Sequence, residues 1–482
     1  MINSEIIQAL EKALGKDGVV RRKEELLTYE CDGLAAYRQR PGVVVLPRTT
    51  EEVAAAIRIC NQYETPWVAR GAGTGLSGGS LPIEDCVLIV TARMKAILDI
   101  DLENQRIVVQ PGVINNWVTQ AVRGDGFYYA PDPSSQIICS IGGNVAENSG
   151  GVHCLKYGVT TNHVMGLKIV TASGIVCDIG GSVPEMPGYD LTGVFVGSEG
   201  TLGIATEITL RILKTPEVIC VVLADFLTME EAGSAVTEII SSGVIPAGME
   251  MMDNFSINAV ENVVKTGCYP RDAGAILLVE LDGLQVEVDG NKELVAEICR
   301  KNGARSITSA RDAETRQKLW KGRKAAFAAA GKMSTNYFVQ DGVVPRTQLA
   351  KVLKEINAIS EKSGYRIANV FHAGDGNLHP LILYDNSSEE ELAAVEEVGG
   401  EILKLCVEVG GSLSGEHGIG SDKNCYMPQM FTEVDLETMQ YVRQVFNPKG
   451  LANPGKLFPN PRTCGEAANA KKMAEFEGVD LF

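Results

Sequence analysis

The chain has 482 residues, a length that predicts roughly two to four domains. Its formal net charge of −17 at pH 7 disfavours non-specific binding to nucleic acid or to an anionic membrane surface. Hydrophobic residues make up 45% and charged residues 22%, as in ordinary soluble globular proteins, and no stretch reaches about 18 uncharged apolar residues, the length of a membrane span.

The N-terminal stretch "MINSEIIQALEKALG" has helical periodicity and acidic residues, and it lacks the basic-then-apolar order of a signal peptide. We therefore expect a cytoplasmic protein, held at the inner membrane only through partners. No two of the 12 cysteines stand in a C-x-x-C spacing, so the sequence predicts no iron–sulfur cluster in this chain.

Residues 41–79 predict a β-α-β unit that ends in a glycine loop. "PGVVVL" is typical of a strand, "PRTTEE" starts a helix with a capping threonine, and "WVAR" begins the second strand. Residues 87–215 are rich in strands separated by glycine turns and predict a second lobe. The first predicted domain therefore spans residues 1–215, with its core at about 37–215.

Beyond "KTPEV" at 214–218, helical segments such as "TMEEAGSAVTEIISSG" alternate with strands such as "AILLVEL". This pattern predicts an α+β substrate or cap domain over residues 216–457, whose last part returns to the first domain. Residues 458–482 form a predicted C-terminal tail. The fold class is therefore α+β with two domains.

The loop "ARGAGTGLSGGS" at 69–80 contains five of the 51 glycines, so several backbone N–H groups can point at one anion such as a phosphate. No Gly-Lys-Ser/Thr follows, which excludes a Walker A loop, and the loop does not open a helix in the Rossmann manner. Taken alone, a glycine-rich turn without a ligand explains it equally well.

Two further loops, "YYAPDPSSQIICSIGGNVAENSGGVHCLKYG" at 128–158 and "GSEGTLGI" at 197–204, share this composition. Together the three loops resemble the FAD-binding domain of the vanillyl-alcohol oxidase type, also called the PCMH type: a two-lobed fold. Because "GAGTGLSG" contains no histidine for a covalent link, we expect non-covalent FAD. The resemblance implies that FAD contacts Arg70, Gly71, Ala72, Gly73, Thr74, Gly75, Leu76, Ser77, Gly78, Pro131, Asp132, Ser134, Ser135, Gly142, Gly143, Asn144, Ala146, Asn148, Ser149, Gly150, Gly151, His153, Tyr157, Gly158, Glu199, Gly200, Gly203, Ile204 and Asn453.

The resemblance extends over essentially the whole chain. "YECDGLAAYRQRP", "MEMMDN", "ANVFHAGDGNLHPLIL" and "SGEHGIG" are similar to the family of FAD-linked 2-hydroxy acid dehydrogenases, which includes glycolate oxidase D subunits and D-lactate and D-2-hydroxyglutarate dehydrogenases. The resemblance implies FAD-dependent oxidation of a small 2-hydroxy acid, glycolate or D-lactate, to glyoxylate or pyruvate. In that reaction the hydroxyl loses a proton and a hydride passes to flavin N5.

His372 and His379 flank the turn "AGDGNL" and are two of only five histidines. A histidine pair alone is a weak metal signal, but Glu416 in "SGEHGIG" can supply an oxygen ligand, and a His₂Glu set leaves positions open for substrate. A divalent metal, zinc or manganese or iron, would lower the pKa of the substrate hydroxyl. The resemblance implies that His417 is the base that takes the hydroxyl proton.

Arg323, in "LWKGRKAAFAAAGK", is the predicted ligand of the substrate carboxylate, since the planar guanidinium fork suits bidentate binding. A solvated arginine on a helix face is the alternative, and the resemblance favours the carboxylate role. The sequence departs from the hydroxyglutarate enzymes at Phe327, where they have a polar residue, and in "YFVQDGVVP", where their second-carboxylate lysine is missing. Both departures favour a short monocarboxylate.

Three other functions compete with this interpretation. A quinone-linked D-lactate dehydrogenase would share every residue named above, a non-catalytic flavin-carrying structural subunit would not need them, and a zinc hydrolase would leave the glycine loops unexplained. The sequence has no nicotinamide-binding fingerprint and no cluster spacing to take electrons from FAD. The resemblance implies a second flavin-type subunit and an iron–sulfur subunit as the electron outlet.

Overall fold

The structure, a computed structural model, describes residues 2–183, 187–385 and 388–459, so most of the predicted tail lies outside the described residues. In these residues the strands are β1 Val19–Val20, β2 Val43–Val45, β3 Trp67–Arg70, β4 Val87–Val90, β5 Ile97–Asp101, β6 Arg106–Val109, β7 Phe127–Tyr128, β8 Val164–Thr171, β9 Val176–Gly180, β10 Gly203–Arg211, β11 Leu213–Lys214, β12 Val218–Phe226, β13 Gly248–Asp253, β14 Ala275–Gly283, β15 Ser306–Ala310, β16 Asn336–Val339, β17 Ile367–His372 and β18 Pro380–Tyr384. The α-helices are α1 Ser4–Leu14, α2 Lys23–Leu26, α3 Thr50–Gln62, α4 Asn115–Val122, α5 Ile141–Glu147, α6 Cys154–Tyr157, α7 Leu191–Phe195, α8 Met229–Ser241, α9 Asn254–Val263, α10 Gln285–Lys301, α11 Ala313–Lys324, α12 Ala326–Ala330, α13 Leu349–Ser363, α14 Glu389–Glu408, α15 Met427–Met430 and α16 Glu433–Phe446.

The first lobe is a four-stranded sheet in the order β1-β2-β4-β3. The predicted β-α-β unit is confirmed: α3 connects β2 and β3, and both strands run parallel to β4, which lies between them. As predicted, a threonine caps the helix, because Thr49 Oγ1 accepts a hydrogen bond from the backbone N–H of Glu52 at 3.2 Å. The apolar faces of α1 and α3 share one core with this sheet.

The second lobe is a five-stranded antiparallel sheet in the order β5-β6-β10-β8-β9. Buried side chains of α4, α5 and α7 pack on this sheet and form one core with it. The short strands β7 and β11 pair beside it. The glycine loops leave the two lobes at the ends of these strands and helices, which places them near one another.

The C-terminal half contains a seven-stranded sheet, β15-β12-β14-β13-β17-β18-β16, antiparallel throughout. Helices α8, α10, α13 and α14 cover one face and α9, α11 and α12 cover the other. The interior strand β14 is a nearly continuous apolar run because both of its faces are buried: Leu277 and Val279 face one core, and Ile276 and Leu278 face the other.

Strands β17 and β18 bring together His372 and His379, the two histidines of the predicted metal site. His372 is the last residue of β17 and His379 immediately precedes β18, so the turn between them returns the chain to the same edge of the sheet. The last described segment runs back to the N-terminal half, where the Trp67 N–H donates to the Leu451 carbonyl at 2.9 Å. Among the described residues, no helix has both the length and the hydropathy needed to cross a bilayer.

Candidate active site

Two histidines and a glutamate converge on one point above the seven-stranded sheet. His372 Nε2 and His379 Nε2 each lie 3.1 Å from Glu416 Oε1, and the three ligand atoms lie within 4.8 Å of one another. The two imidazole rings stand nearly perpendicular, with centroids 5.0 Å apart. The structure therefore brings together all three predicted metal ligands.

Glu250 orients the first of these histidines from below. Its Oε1 lies 2.6 Å from His372 Nδ1, which leaves His372 Nε2 facing Glu416. Its Oε2 lies 2.5 Å from Arg323 Nη2 in an ion pair that lacks hydrogen-bond alignment. Burial lowers the pKa of His372, but the charges of Glu250 and Glu416 outweigh it and raise the pKa well above its ordinary value.

His417 stacks on His379 with centroids 5.0 Å apart and ring planes 3° from parallel. Its Nδ1 atom is buried without a hydrogen-bond partner among the described residues, and the nearest acidic oxygen, Asp341 Oδ1, is 3.9 Å away. Burial lowers the pKa of His417 to about 4, so the ring is neutral near pH 7. A neutral ring with a free nitrogen is the form that a base requires.

Asp341 holds the loop that carries Glu416 and His417. Its Oδ2 accepts hydrogen bonds from the backbone N–H groups of residues 415, 416 and 417 at 3.1, 2.9 and 2.7 Å, and from Ser414 Oγ at 2.9 Å. Its Oδ1 accepts a hydrogen bond from Lys423 Nζ. Burial would raise the pKa of Asp341, but Lys423, His417 and the loop amides outweigh it and lower the pKa to about 2.

The next residues of the same loop are held from the N-terminal half. Glu199 accepts hydrogen bonds from the N–H groups of Ile419 and Gly420 at 2.7 and 2.6 Å. Asn453 Nδ2 in turn donates to the Glu199 carbonyl at 2.5 Å. A carboxylate from each half of the chain therefore holds the segment 414–420.

A cavity of about 550 Å³ lies between this loop and the glycine loops. His379, Glu416 and His417 line it, whereas His372 and Arg323 lie behind its wall. The predicted FAD contacts that line it are Arg70, Gly71, Ala72, Gly73, Thr74, Gly75, Leu76, Ser134, Ser135, Gly142, Gly143, Asn144, Ala146, Ser149, Glu199, Gly200, Gly203 and Ile204. Those that do not are Ser77, Gly78, Pro131, Asp132, Asn148, Gly150, Gly151, His153, Tyr157, Gly158 and Asn453.

Comparison with known proteins places this site in a family. Residues 41–180 match the FAD binding domain family, and residues 215–457 match the family described as FAD linked oxidases, C-terminal domain. The chain is 50% identical over 461 residues to glycolate oxidase subunit GlcD of Escherichia coli (strain K12), covering 96% of this chain and 92% of that protein. The chain belongs to the FAD-linked oxidases.

Two further relatives extend the comparison. The oxidase is 37% identical to glycolate oxidase subunit GlcD of Bacillus subtilis (strain 168), over 95% of this chain and 97% of that protein. It is 32% identical to D-lactate dehydrogenase of Anaerostipes hadrus, over 88% of this chain and 91% of that protein. The oxidase is thus an FAD-linked oxidoreductase, and its predicted resemblance to the 2-hydroxy acid dehydrogenase family is confirmed.

Solved structures confirm the predicted vanillyl-alcohol oxidase type of fold. The oxidase superposes on 4-ethylphenol oxidase from Gulosibacter chungangensis with a TM-score of 0.79 at 19% identity, covering 95% of this chain and 97% of that one. It superposes on p-cresol methylhydroxylase with a TM-score of 0.79 at 18% identity, covering 94% and 96%. At such identities the likeness concerns the fold alone.

The cavity of the oxidase fits FAD. Residues 72–75 line it, and their backbone N–H groups have no acceptor among the described residues, so they are available to an anion such as a pyrophosphate. A Cβ on Gly75 would meet nothing closer than a Glu147 oxygen at 3.9 Å, which leaves room beside the loop. The donor set matches the phosphate-binding role predicted for this loop.

The His₂Glu cluster fits a divalent metal. Ligand atoms at about 2.1 Å from a tetrahedral ion lie about 3.4 Å apart, close to the 3.1 Å separations between Glu416 Oε1 and the two histidine nitrogens. Nδ1 of the buried His379 has no hydrogen-bond partner among the described residues, and its Nε2 faces Glu416 Oε1 without hydrogen-bond alignment. The carboxylate of Glu250 on His372 is the orienting contact that metal-binding histidines typically have.

Sequence reasoning missed four residues at this site. Glu250 stands in the quoted motif "MEMMDN" and Asp341 in "YFVQDGVVP", but nothing in the local sequence indicates what they contact. Glu147 lines the cavity, and burial raises its pKa well above the ordinary value, which favours the neutral carboxyl. Lys324, next to the predicted Arg323, also lines the cavity.

Asp341→Asn should reduce activity and bound divalent metal per flavin by about 10- to 100-fold, because an amide cannot accept from three N–H groups and Lys423 at once. FAD should remain bound. Flavin absorbance and metal analysis on the same sample measure both quantities. Asp178→Asn, an exposed carboxylate on β9, is the matched control. Wild-type metal content and turnover in Asp341→Asn would show that the loop does not depend on this carboxylate.

Proposed function

We propose that this oxidase converts a small 2-hydroxy acid, glycolate or D-lactate, to glyoxylate or pyruvate. The observation that carries the proposal is the shared cavity: the neutral His417, together with His379 and Glu416 of the His₂Glu cluster, faces the glycine loops across one space. The names of the relatives, two glycolate oxidase subunits and a D-lactate dehydrogenase, support the substrate class.

Arg323 is the proposed ligand of the substrate carboxylate. Its side chain is 2% exposed; Nη2 lies 2.5 Å from Glu250 Oε2 without hydrogen-bond alignment, and Nε has no hydrogen-bond partner among the described residues. Buried donors without acceptors are costly, so their presence favours a ligand. In this role the guanidinium keeps Glu250 on one edge and presents the remaining N–H groups to the substrate.

His417 is the proposed base for the hydroxyl proton. Its ring is neutral and its Nδ1 is free, and stacking on His379 fixes the plane of the ring. We propose that His372, His379 and Glu416 hold a divalent cation, which when bound would lower the pKa of the substrate hydroxyl. Bound FAD would supply the hydride acceptor. The residues that we propose to hold it are those of the glycine loops that line the cavity.

The cavity wall favours a short substrate. Phe327 packs edge-on against His379 with centroids 5.7 Å apart, and Ala328 and Tyr337 continue the same wall. These three side chains carry no charge, and their apolar surface limits the access of water to the reacting atoms.

Glycolate or D-lactate should reduce the bound FAD in the absence of oxygen, seen as loss of the flavin absorbance bands. L-lactate should reduce it more slowly. His417→Asn should keep the flavin spectrum but slow this reduction by about 10²- to 10⁴-fold, because the proton acceptor is gone. Failure of every short 2-hydroxy acid to reduce the FAD would refute the proposed activity and favour a flavin-carrying structural subunit.

A second prediction concerns the metal. His372→Ala or His379→Ala should lose both metal and activity yet keep FAD, because the glycine loops that line the cavity lie in the other half of the chain. Metal analysis beside flavin absorbance measures the two contents independently. His163→Gln, a buried histidine whose Nε2 contacts the Tyr157 carbonyl outside the cavity, is the control. A fully metallated, active double variant would refute the metal site.

We further propose domains at 1–215 and 216–457, with the part near 451–457 returning to the first. The matches to two families over residues 41–180 and 215–457 support this division. Hydrogen bonds from Asn453 to the Gly79 and Glu199 carbonyls, at 3.0 and 2.5 Å, support the return.

The proposed electron outlet is a second flavin-type subunit and an iron–sulfur subunit. The proposed location of the chain is the cytoplasm, where these subunits would hold it at the inner membrane. The printed names of two relatives describe subunits, and the sequence lacks a C-x-x-C spacing of its own. The quinone-linked D-lactate dehydrogenase remains the second candidate, because the match to the D-lactate dehydrogenase covers 88% of this chain.

The isolated chain should be reduced by substrate yet pass electrons to quinone slowly until these partner subunits are added. Stopped-flow reduction gives the first step, and steady-state quinone reduction with and without the partners gives the second. Full quinone turnover by the pure chain would contradict the need for partners and favour the quinone-linked dehydrogenase.

A further inference from the structure

A second pocket of about 230 Å³ lies beside the main cavity. The residues that matter for its chemistry are His153, Trp320, Arg316 and Lys324, together with the carboxylates of Asp132 and Glu280. Nothing in the proposed mechanism uses this space, and the sequence placed His153 and Asp132 at the flavin instead.

His153 is held between the two carboxylates. Its Nδ1 lies 3.0 Å from Asp132 Oδ1 and its Nε2 lies 3.0 Å from Glu280 Oε1. Burial lowers the pKa of His153, but these two carboxylates outweigh it and raise the pKa well above its ordinary value. Glu280 also accepts a hydrogen bond from Trp320 Nε1 at 2.5 Å. Asp132 and Glu280 therefore have close partners other than Lys324 and Arg316.

Lys324 and Arg316 are the two cations of this pocket without a close ion pair among the described residues. Lys324 Nζ makes only a loose contact of 3.8 Å with Asp132 Oδ2, and its side chain is 41% exposed. The Nε of Arg316 is buried and has no hydrogen-bond partner among the described residues. With His153 protonated, the wall carries three positive and two negative charges, in a chain whose net charge is −17.

Lys324 lies between the two spaces. It lines the second pocket, and it also lines the main cavity, where His379, Glu416 and His417 are its neighbours in the lining. Its position near the C terminus of α11 offers a simpler explanation, because cations there complement the helix dipole. That explanation applies equally to Lys321 in the same turn, which lines neither space. The dipole therefore does not account for where Lys324 points.

We propose that the second pocket is a vestibule for carboxylate anions and that Lys324 draws the 2-hydroxy acid from it into the main cavity. The inference rests on the proposed function, because the anion concerned is the substrate of that reaction. A local positive wall raises the concentration of an anion that the rest of this acidic surface repels. Lys324 attracts the carboxylate first, and the buried Arg323 then holds it.

Lys324→Gln should lower kcat/KM by about 10-fold at low ionic strength, with kcat changed by less than about twofold, because steering acts before chemistry. The difference from wild type should shrink as salt rises, since the Debye length falls from about 30 Å at 0.01 M to about 3 Å at 1 M. Lys324→Arg should retain most of the wild-type value. Lys321→Gln, which removes a cation from the same helical turn, is the matched control.

Trp320 supplies a readout that does not depend on turnover. Titration of the oxidised enzyme with glyoxylate should change Trp320 fluorescence, because Trp320 lines this pocket. Half of that change should require about 10-fold more glyoxylate in Lys324→Gln than in the wild type. Trp320→Phe should lose the signal. Equal kinetics and equal glyoxylate affinity in Lys324→Gln and Lys321→Gln would overturn the vestibule while leaving the proposed function intact. If no 2-hydroxy acid reduces the wild-type FAD, the proposed function fails, and the glyoxylate titration still decides whether this pocket binds a carboxylate.

Discussion

The buried carboxylate of Asp341 is the contact on which the geometry of the candidate site depends. A charge without solvent is costly to bury unless donors surround it, and here three consecutive backbone N–H groups, the Ser414 hydroxyl and Lys423 do so. Since its pKa is about 2, the carboxylate is charged near neutral pH. The backbone at residues 415–417 is therefore fixed, and the Glu416 and His417 side chains are fixed with it.

Two further carboxylates hold parts of the site by the same kind of contact. Glu250 orients His372 and pairs with Arg323 beneath the hairpin, and Glu199 holds the next two amides of the loop from the N-terminal half. Glu250 and Asp341 lie outside the cavity lining, and Glu199 is part of it, but each of the three fixes a segment or side chain of the site. The proposed metal ligands and base thus sit on a rigid support, which is what a site with little tolerance for misplacement requires.

Local features of the fold were predictable from sequence, because they depend on neighbours in the chain. The helix after Thr49 and the capping box at Thr228 and Glu231 follow from short-range patterns, and so does the turn that joins His372 to His379. The order of the strands did not follow. The predicted alternation of helices and strands in the second domain is present, but the sequence did not show that the strands pair antiparallel throughout.

The candidate site shows the same division. The three residues proposed to hold a metal stand in two glycine-flanked motifs that the sequence displays, whereas Asp341 acts on residues more than 70 positions away and Glu250 on His372 across 122 positions. The sequence predicted a role at the substrate for Arg323 and none for its neighbour Lys324, because the direction of each side chain on a helix depends on how the helix packs. In the structure Arg323 pairs with Glu250 and Lys324 lines the cavity.

The return of the C-terminal segment has a consequence for biogenesis. Asn453 holds Glu199 and Gly79, and Lys456 Nζ donates to the Gly78 and Leu81 carbonyls at 2.5 and 3.0 Å, so the glycine loops made early in synthesis are closed by residues made almost last. During translation the N-terminal half leaves the ribosome before these hydrogen bonds can form. Closure of these loops therefore waits for Asn453 and Lys456, and truncated chains that stop before residue 451 carry the FAD motifs without these contacts.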